Sequence, residues 1–447
     1  MLLVLSSALS PQSWPFSLEW LPSSACLVGG AVRDALLGRQ AETLDLDFVL
    51  PEQAVQTAQA IARHYRAGFV VLDAERQIAR LVFPRATADF ALQEGVNLET
   101  DLKRRDFTVN AIAYSPHQDE LIDPLQGHAD LQEGIIRMVS SSNLREDPLR
   151  LLRAYRQAAQ LGFRVEPETR VALKTLAPLL ADIAAERVQT ELNYLLRTVG
   201  GAPWLRAAWQ DGLLEHWLPH STEAGLTQVE TFEQLLAELG DRWPALAPAL
   251  NQEVSFSNAQ SSKKELVPSH RTWLAIAKLT CLLAPEADAA EAELLRLKMS
   301  RAEVRAALLF QQFLPTLKAG LPTRRDRFFF FQAVGPAFAA LAMLAIASGT
   351  PIDAIAPLLD HYFDPTDPVA HPQALLSGRD LMTTLKLPPG PQIGQLLTHV
   401  QVAQAEGLIT TQADALDWIR AYLAAPPSPW EAPIPQAEGL GSSKKLC

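Results

Sequence analysis

Between residues 25 and about 137, short apolar β-rich runs alternate with helical ones, and beyond that point almost every segment reads as helix. The runs 25–28, 44–50, 68–72, 78–83 and 87–92 predict strands, being short, rich in β-branched and aromatic residues and bounded by turn formers. Residues 52–66 predict a helix between the second and third strands. After Pro148, the residues Leu149, Leu152, Tyr155 and Ala159 recur at helical spacing and predict an amphipathic helix, and similar segments follow to about residue 423. The pattern is an α/β head on an all-α remainder.

Four stretches break the pattern. Residues 251–270 are polar, Ser-rich and aperiodic, which predicts a surface insertion, and the Pro-rich residues 425–447 predict a disordered tail. Residues 328–347 are apolar and about long enough to span a bilayer, but Gln332 and the Gly335-Pro336 pair interrupt them. The expectation is two buried helices, with Pro336 as the first residue of the second. The opening MLLVLSSALS has neither a basic n-region nor a convincing cleavage site, so residues 1–24 are expected to form a ragged N-terminal extension and not a secretory signal.

Composition narrows the class. A chain of 447 residues with 48% hydrophobic residues, 20% charged and a mean hydropathy of +0.03 is globular, with room for two to four cores. Cys26, Cys281 and Cys447 are far apart and form no CxxC pair, which excludes a disulfide framework and fits a reducing cytosol. The net charge of -11 argues against coating nucleic acid by bulk electrostatics. Residues 101–210, however, carry 14 Lys+Arg and 14 Asp+Glu, so a phosphate-rich partner would be steered toward that neutral window.

The strongest chemical signal runs from Val28-Gly29-Gly30-Ala31-Val32-Arg33-Asp34 to Leu44-Asp45-Leu46-Asp47-Phe48. A strand, a Gly-Gly turn and a helix start bring free N–H groups toward a phosphate, with Arg33 close by for charge. In the next strand Asp45 and Asp47 are two apart, so the pleat points both carboxylates to one face while Leu44, Leu46, Phe48 and Leu50 line the other. Adjacent like charges are costly unless a cation lies between them, and Mg²⁺ with substrate phosphates is the natural candidate. The bland alternative is a solvated acidic edge beside an ordinary turn. Asp89, in the strand 87–92, could supply a third carboxylate, or could simply face solvent.

Further along, Lys103-Arg104-Arg105-Asp106-Phe107-Thr108-Val109-Asn110 places Arg105 within reach of phosphate. Asp106 and Asn110 are expected on one helix face, where they could bond ribose hydroxyls. In Arg145-Glu146-Asp147-Pro148-Leu149-Arg150-Leu151-Leu152-Arg153, Asp147 before Pro148 reads as an N-cap. Asp147 and Arg150 would also share a face, with Glu146 holding Arg150, and an acceptor beside a planar donor suits a base's Watson-Crick edge. Glu186-Arg187-Val188-Gln189-Thr190-Glu191 offers an i, i+4 pair of Arg187 with Glu191, by itself an ordinary helix salt bridge.

Taken in order, GGAVRD with DLD, RRDFTVNA, DPLQGHADL, EDPLR and ERVQTEL resemble class II tRNA nucleotidyltransferases (CCA-adding enzymes) and bacterial poly(A) polymerases, a branch of the polymerase β superfamily. SGRDLM with PGPQIG resembles that family's tail. The resemblance covers residues 25–423 and implies an α+β fold: a polymerase β-like nucleotidyltransferase head at 25–137, then an all-α neck at 138–210, and a body and tail at 211–424 that bind tRNA. It implies that Asp45 and Asp47 hold catalytic Mg²⁺ with Asp89 in the place of the third carboxylate, usually Glu, and that Gly29, Gly30 and Arg33 bind triphosphate. Arg105, Asp106 and Asn110 would contact phosphate and ribose, Asp147 and Arg150 would read the base, and Glu186 and Arg187 would support them. Arg153 joins the nucleotide-binding set.

One departure carries information. Full CCA-adding members have a longer flexible loop between the third carboxylate and RRD, whereas here only residues 90–104 intervene. That resembles the CC-adding subgroup, which works beside a separate A-adding enzyme. The expectation is a cytoplasmic enzyme that adds two cytidines from CTP to the tRNA 3' end and releases pyrophosphate. The alternatives are complete CCA addition or A addition, with ATP as substrate, then poly(A) synthesis, and, outside enzymes, a silent RNA-binding helical scaffold. An idle site has no reason to keep the costly Asp45/Asp47 pair.

Overall fold

A computed structural model describes residues 8–39, 43–255 and 271–424. The first seven residues, most of the 251–270 segment and the 425–447 tail therefore lie outside the described residues. The chain divides into two compact units, one of Met1–Leu239 with Leu250–Gln311 and one of Gly240–Ala249 with Gln312–Cys447.

The head of the first unit is a seven-stranded sheet. Its strands are β1 (Cys26–Val28), β2 (Leu44–Leu50), β3 (Gly68–Asp73), β4 (Ile78–Phe83), β5 (Ala86–Leu92), β6 (Ala113–Ser115) and β7 (Glu120–Ile122), in the order β3-β4-β5-β2-β1-β6-β7. All neighbours are antiparallel except β2 and β5. The five strands read from the pattern are present with ends shifted by at most a residue. β6 and β7 had no periodicity to reveal them, being three residues each.

Alternation along β2 separates two faces. Leu46, Phe48 and Leu50 are buried on the side covered by α2 (Ala54–Tyr65), which turns Ala58, Ile61 and Ala62 inward. The N-terminal segment completes this core. Trp14 and Phe16 are buried, with Trp14 edge-on to Phe48 at 5.1 Å and Phe16 against Phe90 at 6.1 Å. Residues 8–24 are thus not ragged: two aromatic rings, each burying a large apolar area, tie them to the sheet.

On the opposite face, Cys26, Val28, Val49, Leu102, Ala111 and Ala113 make a second cluster. This face carries the candidate site, and six helices bear on it, two inside the head and four after it. They are α3 (Leu98–Lys103), α4 (Gly127–Glu133), α5 (Ser141–Glu146), α6 (Leu149–Leu161), α7 (Pro167–Leu176) and α8 (Ala185–Arg197). Two short strands, Ile135–Ile136 and Arg164–Val165, pair in parallel beside them. Helices α6 and α8 pack together, and Leu151, Leu152 and Tyr155 of the first and Val188, Leu192 and Leu195 of the second are buried.

The second unit is helical. The segment Arg324–Ala347 is long and apolar enough to cross a membrane by length and composition, yet 72% of its most apolar window is buried inside the protein. As the sequence predicts, it is broken in two, into Arg324–Val334 and Phe338–Ala347. The break differs in detail: Pro336 sits inside a 3-10 turn, Gly335–Ala337, and the second helix starts at Phe338. A further cluster, including Leu381, Leu396, Val400 and Ile419, joins the helices Gly378–Thr384, Pro391–Ala405 and Gln412–Ala424.

Candidate active site

The sheet register sets the first half of the site. Val28 of β1, Asp47 of β2, Asp89 of β5 and Arg80 of β4 are successive partners, so they form one file across four strands and point to one face. Asp45, two residues from Asp47, lies on the same face in register with Thr87, whose hydroxyl bonds its carboxylate. Burial, followed by the charges of Asp45 and Asp89, pushes the Asp47 carboxyl up to about 7, against the opposing pull of Arg105 and Arg80. A proton or a cation is what such a group, when ionised, lacks.

Asp89 is brought to the site but is already engaged. Arg80 donates to both of its oxygens, from Nε and Nη2 at 2.7 Å each. Among the described residues, no group of three or more metal-ligating side chains is assembled. The donor set left for a divalent cation is the pair Asp45 and Asp47, two hard oxygen ligands whose mutual repulsion a cation would relieve. The Gly-Gly turn forms the wall of this cradle. Gly29 has φ +74°, a backbone conformation that calls for glycine, and a Cβ there would lie 3.3 Å from Arg105 Nη1 and 3.5 Å from Asp47 Oδ2, so the turn runs close to both side chains. Gly30 opens the short helix α1, Gly30–Leu36.

Several expected contacts are replaced by internal ones. The Arg33 guanidinium points into the protein, with Nε and Nη2 on Asp34 at 2.9 Å and Nη1 on Asn110 Oδ1 at 2.7 Å. Asp106 and Asn110 do not share a helix face, because Phe107 is extended and only Thr108–Asn110 turns, as a 3-10 segment. They are nonetheless bonded, Asn110 Nδ2 donating to Asp106 Oδ1 at 2.8 Å, and both are buried. Burial would raise the Asp106 carboxyl, but Arg153 at 2.9 Å, Asn110 and the Phe107 N–H together hold it below the usual range. Arg153 also approaches Glu191 at 3.7 Å, and Glu191 takes a 2.6 Å bond from Arg156, so the expected Arg187–Glu191 helix pair is absent.

Arg105 links this half to the next. Its Nη1 lies beside Gly29, its Nη2 donates to Asp101 at 3.1 Å, and its Nε is buried without a protein partner. The same side chain lines a polar cavity of about 440 Å³ with Arg76, Glu94, Asp101, Arg104, Glu146, Asp147, Arg150, Ile183 and Arg187. Asp147 and Arg150 therefore share a cavity wall, but not as the sequence reading has it. Asp147 is extended and does not cap α6 with its side chain. Its Oδ2 accepts from Arg187 at 2.9 Å and its Oδ1 is buried without a partner. Glu146 pairs with Arg104 and not with Arg150. Arg150 Nη1 donates to the carbonyls of Arg104 and Asn143, at 2.9 and 3.0 Å. Glu186 is exposed in the first turn of α8 and does not line the cavity.

Sequence reasoning missed Asp101, Glu94, Arg76, Asn143 and Gln157. Asp101 lies four residues before Arg105, a spacing that could have revealed the pair. Gln157, which accepts from Asn110 at 2.9 Å, and Asn143 left no local signal, since their partners are 47 and about 40 residues away.

Comparisons with known proteins bear on the family and the fold. Family models match for the "Poly A polymerase head domain" over residues 25–137, the "RNA and SrmB- binding site of polymerase A" over 162–224, and the tRNA nucleotidyltransferase domain 2 over 269–419. The CC-adding tRNA nucleotidyltransferase of Synechocystis is 48% identical, with 91% of this chain and 95% of that protein covered. The A-adding tRNA nucleotidyltransferase of Deinococcus radiodurans is 32% identical over 91% of this chain and 97% of its own. The Thermotoga maritima CCA-adding enzyme, solved with tRNA, shares the fold at a TM-score of 0.66 with 22% identity, covering 89% of this chain and 91% of that one. With near-full-length relatives at these identities, the chain belongs to the tRNA nucleotidyltransferase family of enzymes.

Proposed function

We propose that this protein is a CC-adding enzyme: it transfers cytidylate from CTP to the 3'-hydroxyl of a tRNA lacking its CCA end, releasing pyrophosphate, and stops after two additions. The head at 25–137 would catalyse, the neck at 138–210 would read the base, and the body and tail at 211–424 would hold the acceptor arm by shape and phosphate contacts. The setting would be the cytoplasm, beside an enzyme that adds the final A.

Mg²⁺ held by Asp45 and Asp47 would lower the pKa of the attacking hydroxyl and offset charge on the triphosphate. The chain's own groups position the reactants. Arg105, whose Nη1 lies beside the Gly29 turn and whose Nε has no protein partner, is the cation placed to take a phosphate at that turn. Cytosine presents an amino donor and ring acceptors on its Watson-Crick edge, and the free Asp147 Oδ1 and the Arg150 guanidinium are the complementary acceptor and donor on one wall. Asp106, Asn110, Arg153 and Arg33 are bonded to one another, and would reach ribose or phosphate only if those bonds exchange.

The observation that carries the CC-only reading is the connection between Asp89 and Arg105. Residues 93–104 form a closed unit: Asn97 caps α3, Asp101 Oδ1 accepts from the Glu94 N–H at 3.0 Å, and Arg104 pairs with Glu94 and Glu146. The carbonyl of Arg104, at the end of this unit, holds Arg150. A tether this short and this anchored has no second arrangement with which to move Arg150 for a purine. Incubating the protein with tRNA lacking its 3' end and each NTP separately, and with CTP and ATP together, with products resolved to one nucleotide, tests the proposal. Two C additions and arrest in the presence of ATP are expected. Addition of A, or of poly(A), overturns it.

A further inference from the structure

The carbonyls of three successive residues at the end of the connection, Lys103, Arg104 and Arg105, are all taken by side chains from beyond the head. Asn143, buried in α5, donates from Nδ2 to the carbonyls of Lys103 and Arg105 at 2.8 Å each. Arg150 Nη1 takes the carbonyl between them, that of Arg104, and also bonds the backbone carbonyl of Asn143. Asn143 itself is held by the Ser140 hydroxyl, which caps α5. One amide thus ties the backbone of Arg105, which faces the Gly29 turn, to the residue that anchors Arg150, which faces the cavity.

We propose that Asn143 is a positioning residue that fixes the distance between Arg105 and Arg150, and so sets the enzyme's discrimination among nucleotides without touching any of them. The inference rests on the reading of Arg150 as the base donor under the proposed function. An amide suits the task because it alone, at this size, donates two hydrogens from one planar atom to two carbonyls. Displacement of a reacting group by about 1 Å costs on the order of a hundredfold in rate. A base edge shifted against its reader loses selectivity in the same way, since discrimination lies in hydrogen bonds that the wrong base leaves unpaired.

The test compares kcat/KM for CTP, UTP and ATP on tRNA ending before the first C, for wild type, Asn143→Ser and Asn143→Asp. Asn143→Ser keeps one donor. Asn143→Asp keeps the shape and replaces both donors with acceptors facing carbonyls. A ratio of specificity constants is independent of the fraction of enzyme that folds, so loss of stability does not imitate the effect. The CTP preference should fall about tenfold or more in Asn143→Asp, chiefly through a raised KM for CTP, and less in Asn143→Ser. Variants with reduced total activity and unchanged CTP:UTP and CTP:ATP ratios would assign Asn143 a structural role only and overturn the inference. A wild type that adds no C would overturn the proposed function instead, and the two failures are read from different lanes of one experiment.

Discussion

Asp47 is the residue in which function and stability oppose each other most directly. Its folded carboxyl is raised to about 7, so the stability it contributes is present below the ordinary carboxylate pKa and is lost as pH rises through about 7. In chelator, wild type should therefore lose stability between about pH 4 and pH 7, and Asp47→Asn should lose less. A difference of about 1–2 kcal/mol, a few degrees in the thermal midpoint, is expected at pH 8. Parallel curves for the two proteins would remove the assigned repulsion. The same variant, like Asp45→Ala, should lose nucleotide addition by about a thousandfold or more while binding tRNA, because what is removed is the proposed cation ligand and not a core contact. Asp147 gives a cleaner test than its sequence suggests. Since it does not cap α6 and its partner Arg187 is half exposed, Asp147→Asn should cost less than about 1 kcal/mol in stability. Loss of CTP preference would then report base reading, and unchanged choice in both Asp147→Asn and Arg150→Ala would remove the pair from that role.

At the scale of elements, the informative piece is α3 and the turn before it. Six residues cannot form a stable helix alone, so α3 depends on the Asn97 cap and on the ion pairs of Lys103, Arg104 and Arg105. Exposed pairs contribute little singly, but here several fix the same short segment. Inserting a longer loop from a CCA-adding relative between Leu92 and Asn97 should confer some A addition, read as a third band on the product ladder. An inserted loop that leaves the product at CC would separate tether length from nucleotide switching.

At the scale of the molecule, the head buries one sheet face under α2 and the N-terminal aromatics and leaves the other for chemistry. A carboxylate pair on the covered face would have carried a desolvation cost that no ligand could relieve. Truncation before Phe16 should therefore destabilise the head although it removes no site residue: losing the buried Trp14 ring is worth about 3 kcal/mol or more, visible as a lowered thermal midpoint. An unchanged midpoint would show that residues 8–15 do not contribute to the core.

What the sequence determined by itself was local. Alternation in β2 put Asp45 and Asp47 on one face, a Gly-Gly pair marked the turn, and helical spacing after Pro148 marked α6, because each depends on neighbours within one element. The family motifs extended that reading to residues with no periodic signal. Tertiary structure decided the partners. Arg80 engages Asp89, Arg187 and not a cap engages Asp147, Glu191 serves Arg156, and Asn143 holds three elements at once. A charged or amide side chain within one element has several partners at comparable separation, and which one it takes is set by sheet register and helix packing across 9 to 47 residues of chain.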